Sequence, residues 1–187
     1  MINPADFLQL RAYARIDGLY LALIWTASFA CYVAGLSSPT IGIIASLSAM
    51  ASLFFAAKRL VVFRDNIRGG FISFRRAVAY YILTFFYASV LFAVVQYVYM
   101  AFMDNGYLLG TYLSSICSPE AQAILKAYGM TKYEIGEMLT QLQRITPLSF
   151  ALNVMSMNIT IGILLSIPVA LVCRKTGKRK FNNQQTQ

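Results

Sequence analysis

Histidine is absent from this chain, and acidic residues number only seven in 187. The first absence removes the commonest general base near neutral pH and the commonest metal ligand together. Charged residues of both signs make up 12%, against about 25% in a soluble domain. Hydrophobic residues reach 58% and mean hydropathy is +0.60. That balance excludes a soluble enzyme or a folded basic nucleic-acid-binding domain and implies a membrane protein. Cysteine is scarce too. Cys31, Cys117 and Cys173 are odd in number and far apart, which fits neither a zinc cluster nor a disulfide framework. No serine or cysteine has a histidine to activate it, and the Gly-x-x-x-x-Gly-Lys-Ser/Thr pattern of a phosphate loop is missing. The closest carboxylates, Glu134 and Glu137, fall on the polar face of a short helix, where solvation is their ordinary role. The sequence thus assigns no catalytic residue, no metal ligand and no cofactor, and it reads as a non-enzyme.

What is present is hydrocarbon in long runs. Four are long enough to cross a bilayer core of about 30 Å at about 1.5 Å per residue: residues 18–36, 40–57, 77–103 and 148–173. The first exceeds the length of a signal-peptide core, and Ser28-Phe29-Ala30-Cys31 lacks the aliphatic residue of a lipoprotein cleavage site, so it reads as a retained helix. Ser37-Ser38-Pro39 makes a tight connection, with Ser38 placed to cap the second helix and Pro39 at its first position. The first two helices therefore form an antiparallel hairpin.

The scarce charge is sorted by side. Arg11 and Arg15 precede the first span; Lys58, Arg59, Arg64, Arg68, Arg75 and Arg76 lie between the second and third; Arg174, Lys175, Lys178, Arg179 and Lys180 follow the fourth. Thirteen of sixteen basic residues thus share one side of a four-pass chain. By the positive-inside rule both termini are expected in the cytoplasm, in a bacterial inner membrane. The expected fold is an all-α integral membrane protein of one domain. Residues 1–15 form a cytoplasmic N-terminal segment, 104–147 an extracytoplasmic helical loop, and 174–187 a basic, disordered tail. Within the loop, Ser118-Pro119-Glu120 and the capping box Thr131-Lys132-Tyr133-Glu134 start two helices, and Gly129 ends the first of them. Ile135, Met138, Leu139, Leu142 and Ile145 share a face, so residues 119–145 are expected as an outward amphipathic hairpin.

Three groups of residues are candidates for function. Arg64, Arg68, Gly69, Gly70, Arg75 and Arg76 combine positive charge with a backbone free to turn sharply, which suits either an anionic headgroup or topology alone. Gly42, Ala45, Ser46, Ala49, Ser52 and Ala56 set small residues along one face of the second helix, for close packing within the bundle or against a partner. Gln96, Asn153 and Asn158 are polar at membrane depth, for a transport path or for interhelical hydrogen bonds. Asp17 is placed to reach the interface or to pair with the basic connection. Of the third-span aromatics, the end clusters read as interfacial belts. Phe85, Phe86, Tyr87 and Phe92 between them suit a groove for an isoprenoid tail.

The stretch Arg64-Asp65, Gly69-Gly70-Phe71-Ile72-Ser73-Phe74 entering a long aromatic third helix, the outward helical pair near 129–137, Thr146-Pro147 and the basic end after the fourth helix together resemble the bacterial membrane family filed as domain of unknown function 4199. That family has no assigned catalytic residues. The resemblance implies a partner role beside membrane-bound sugar transferases that act on polyprenyl phosphates. The functional expectation is a noncatalytic accessory or scaffold subunit in contact with anionic lipids of the cytoplasmic leaflet and with a membrane-protein partner or second copy. The alternative is a small transporter or lipid-handling protein. No nucleic-acid partner is expected. For sidedness, an impermeant maleimide is expected to label Cys117 and spare Cys173.

Overall fold

A computed structural model describes residues 4–175. Of the tail expected to be disordered, residues 176–187, with Lys178, Arg179 and Lys180, lie outside the described residues, whereas Arg174 and Lys175 are ordered against the bundle, Lys175 through Ile72. Among the described residues seven α-helices follow one another, in order α1 Pro4–Gly35, α2 Pro39–Val62, α3 Phe74–Phe102, α4 Tyr107–Ile116, α5 Pro119–Ala127, α6 Lys132–Gln143 and α7 Pro147–Cys173. A π-helical turn, Phe63–Ile67, continues α2. Among the described residues there is no strand, only an isolated antiparallel bridge between Ile72 and Lys175. The segments Phe7–Gly35, Thr40–Ile67, Phe74–Phe102 and Pro147–Cys173 are each long and apolar enough to cross a membrane. Two of them outrun their hydrophobic stretches. Helix α1 begins at Pro4, within the segment expected to precede it, and α2 continues past Ala57 through the basic residues. Backbone hydrogen bonding propagates a helix past the end of its apolar face.

The spans stand in the lateral order α2, α1, α3, α7, with alternating contacts that fix their directions. Trp25 meets Ser52 and Ser28 meets Ser48, so α1 and α2 are antiparallel. Ser38 holds the N-cap position of α2, but its side chain makes no capping bond. The hairpin closes instead through glycine: a Cβ on Gly35 would lie 2.5 Å from the Gly42 nitrogen. Helices α1 and α3 run parallel, with Trp25 against Phe85 and Phe29 against Tyr99. Helices α3 and α7 run antiparallel and so close together that a Cβ on Gly162 would lie 2.5 Å from that of Phe85. Small residues allow this approach, and in lipid packing of this kind drives helix association.

Helix α3 is flanked on two sides and is the most buried span. Tyr80, Tyr81, Phe85 and Ala88 are essentially inaccessible. Tyr80 and Tyr81 are thus core residues, where an interfacial belt was expected. Helix α2 lies at the edge, packing chiefly on α1, and turns Ile43, Leu47, Met50 and Phe54 outward. In water such a face would be an anomaly; against lipid it is the ordinary surface.

The connection from α3 to α7 holds three helices rather than the expected two. Helix α4 precedes the anticipated pair. It follows Gly106 (φ 80°), and the Asp104 carboxylate accepts the Leu108 amide at 3.0 Å. The two helices read from the sequence are present. Ser118 accepts from the Ala121 amide at 3.2 Å, and Thr131 and Glu134 close a reciprocal capping box. Gly129 (φ 83°) ends α5, with the Met130 amide on Leu125 and the Gly129 amide on Lys126, the paired closure of a Schellman end. Ile135 is buried while Glu134, Glu137, Gln141 and Arg144 are exposed, as the spacing implied. The Thr131 amide and hydroxyl hold the Glu134 carboxyl below its ordinary pKa range.

Candidate functional site

Three places gather chemistry, and each lies between helices. The first is the basic end, where the opening of α1, the α2–α3 connection and the end of α7 meet. Arg64 is buried there. Its Nε and Nη2 donate to the two carboxylate oxygens of Asp65 at 2.7 and 2.9 Å, and its Nη1 donates to the Cys173 carbonyl at 2.7 Å. One guanidinium therefore caps the last turn of α7, whose terminal carbonyls lack helical partners. Gly69 (φ 64°) and Gly70 (φ 85°) reverse the chain in a conformation that side chains resist, and the Gly70 amide returns to the Arg64 carbonyl at 2.9 Å. The Ile72 amide then donates to the Lys175 carbonyl at 3.1 Å, fastening the connection to the exit of α7. Of the residues considered for a headgroup, Arg64 is thus engaged inside the protein. Arg75 is exposed, Arg76 is half-buried, and Arg68 is half-buried with Nη1 donating to Gln9 at 3.5 Å.

The second place is a buried ionic node among α1, α2 and α3. Asp17 is 1% exposed. Its Oδ1 accepts from Arg59 Nε at 2.6 Å and its Oδ2 accepts from the Tyr80 hydroxyl. Arg59 also lies over the Tyr20 ring, 5.7 Å from its centroid. Asp17 therefore does pair with the basic connection, as its position in the sequence suggested. Tyr80 as second donor was not foreseen, because it sits in an aromatic cluster that reads as a belt. An unpaired carboxylate at this depth would be costly, and two donors satisfy it.

The third place is a cleft of about 450 Å³ between α2 and α7, backed by α1 and α3. Trp25, Phe29, Phe85 and Phe92 form its aromatic wall, with Trp25 set edge-on to Phe85 at 5.5 Å and Phe29 edge-on to Phe92 at 5.9 Å. The small-residue stripe of α2 divides here. Ala45, Ser52 and Ala56 are buried, with Ser52 accepting from Trp25 Nε1 at 2.9 Å. Ser46 and Ala49 are exposed within the cleft, and Gly42 receives Gly35 at the hairpin. The central aromatics of α3 divide likewise: Phe85 and Phe92 enter the cleft wall, Phe86 faces outward, and the Tyr87 hydroxyl accepts from Arg11 Nε at 3.1 Å. Tyr32, at the far end of the cleft from the basic end, shares a hydrogen bond with Tyr112 of α4. Burial, with the Tyr32 hydroxyl beside it, raises the Tyr112 phenol above its ordinary range.

The three intramembrane polar residues do not converge. Asn158 lines the cleft, Asn153 is exposed on α7, and Gln96 is buried on α3, where its Oε1 meets no donor among the described residues. Among the described residues no three cysteine, aspartate or glutamate side chains are grouped to hold a metal ion.

The fold and these sites define a multi-pass helical membrane protein, tied by ionic nodes at one end and cleft at the other. A model of the family described as "Protein of unknown function (DUF4199)" matches residues 17–175, and the chain belongs to that family. No curated protein and no solved structure matches the chain.

Proposed function

We propose that this protein is a noncatalytic accessory subunit of a membrane complex, seated in a bacterial inner membrane with its basic end in the cytoplasm. The observation that carries the reading is how the buried charges are spent. Asp17, Arg59 and Arg64 each bond to another part of the bundle, so the ionisable groups nearest to membrane depth hold helices together rather than face a substrate. The separation of Gln96, Asn153 and Asn158 weakens the rival reading of a polar transport path, which needs several such groups in one cavity. Membrane-bound glycosyltransferases acting on polyprenyl phosphates are the partner class to test first.

The test is purification of the tagged full-length chain in a mild detergent. A membrane protein recovered in fixed ratio supports the reading. Recovery of the chain alone, together with solute uptake or lipid transfer by the pure protein in proteoliposomes, overturns it. Sidedness needs a different probe from the native thiols, because Cys173 is 6% exposed and would escape labelling on either side. In a Cys31→Ser, Cys173→Ser background, Cys117 and an introduced Lys175→Cys are both exposed positions. An impermeant maleimide on spheroplasts is expected to label the first and to reach the second only after lysis.

A further inference from the structure

The cleft between α2 and α7 is not absorbed by the accessory reading, and the inference drawn from it stands independently of that reading. We propose that it is a binding site for one acyl chain of a membrane phospholipid. Four observations carry this. The first is depth: apart from Tyr32, which lies near the end of its span beside α4, the lining residues of α1, α2 and α7 lie inside their membrane-spanning segments, so the medium along most of its mouth is bilayer interior.

The second is the state of the lining. No charged side chain borders the cleft, its hydroxyls are already occupied, and Asn158 is the one amide in its lining. Ser28 donates to the Ile24 carbonyl at 2.9 Å and Ser46 to that of Gly42 at 3.0 Å. Ser52 donates to the Ala49 carbonyl at 2.6 Å and accepts from Trp25. A polar solute would lose its hydration and find only the Asn158 amide in return, whereas a neutral chain has no hydration to lose. Charge neutrality on both sides is the complementarity.

The third observation is size. The cleft offers about 450 Å³. A polymethylene chain, with a contact diameter of about 4 Å, fits lengthwise. The fourth is the contrast between the walls. Rings in contact on α1 and α3 form the back, and the short side chains of Ser46 and Ala49 leave the α2 side open. The small stripe read as a packing face for protein thereby supplies depth for a chain.

The experiment reconstitutes the full-length protein in phosphatidylethanolamine–phosphatidylglycerol vesicles containing a trace of phospholipid with a diazirine in one acyl chain. After irradiation, adducts are mapped by mass spectrometry. Labelling at Leu53, Val154 and Ile161 is expected to exceed that at outward Ile43, Leu47 and Phe54 by at least fivefold. Ala49→Trp fills the cleft and is expected to remove that excess while outward labelling stays constant. If Ala49→Trp does not yield a monodisperse helical protein, Ala49→Leu reads the same effect with a smaller side chain. Uniform labelling, or an excess that both variants leave unchanged, overturns the proposal. So does displacement of the label by an isoprenoid alcohol at a tenth of the competing phospholipid's concentration, or a protein cross-link from a photoreactive residue at position 49.

Discussion

Helix α7 meets the rest of the bundle in two contrasting ways. Against α3 it closes to the limit that Gly162 allows, with the Phe85 side chain occupying the space a Cβ would need. Toward α2 it leaves a cleft wide enough for a lipid chain. Small residues face both gaps, so side-chain size alone does not decide closure. What differs is the opposing wall: Phe85 fills the notch at Gly162, whereas the α2 residues Ser46 and Ala49 face open space. Small-residue stripes in membranes thus mark where backbones can approach, and the partner side chain determines whether they do.

Substitutions can break this contrast. Gly162→Leu is expected to cost the most, about 3 kcal/mol or more, because overpacking here drives the seam apart rather than displacing a flexible tip. Thermal unfolding in detergent would show it, and a midpoint near that of the wild type would mean the seam is looser than described. Asp17→Asn comes next. It leaves Arg59 without its counter-charge at the end of α2, for an expected loss of roughly 2–4 kcal/mol once the partial exposure of Arg59 is discounted. A double-mutant cycle with Tyr80→Phe should reveal coupling, since both donors share one carboxylate. Thr131→Ala removes the α6 cap at roughly 1 kcal/mol, with the loss confined to faster amide exchange across α6. The same cap carries a pH dependence. The folded-state pKa of Glu134 is depressed, so its contribution is complete above the unfolded value near 4.3 and disappears as pH falls through the lower folded value. Protection of α6 in wild type should decline below about pH 4, and Thr131→Ala should flatten that decline. Ala49→Leu is expected to matter least, within about 0.5 kcal/mol, because its side chain enters space rather than protein. A loss comparable to that of Gly162→Leu would show that the cleft closes in the membrane.

Much of this architecture was legible in the residues. The four spans follow from hydropathy, and the α5 and α6 starts follow from Ser118 and Thr131, whose capping needs only local sequence. Helix α4 was missed for a local reason as well. Its start carries Asn105-Gly106, which reads as a turn, and its cap is Asp104, set four residues before the amide it accepts. A longer capping distance was the available signal. The Asp17–Arg59 pair was nearly readable, since the two residues are almost equidistant from the Ser37-Ser38 connection of an antiparallel hairpin. The cleft was not. Which small residues meet a wall and which meet a gap depends on lateral helix order, and hydropathy carries no information about order. The same limit hid the Arg64 contact, because a row of arginines gives no indication that one of them points inward.

That contact has a bearing on biogenesis. Arg64 and the Cys173 carbonyl are separated by 109 positions, so the guanidinium is synthesised long before its acceptor exists. Before α7 is made, Asp65 is the partner this guanidinium has from the bonds described. The last helix to be made supplies the Cys173 acceptor, so this fastening of the basic end can form only once α7 is in place.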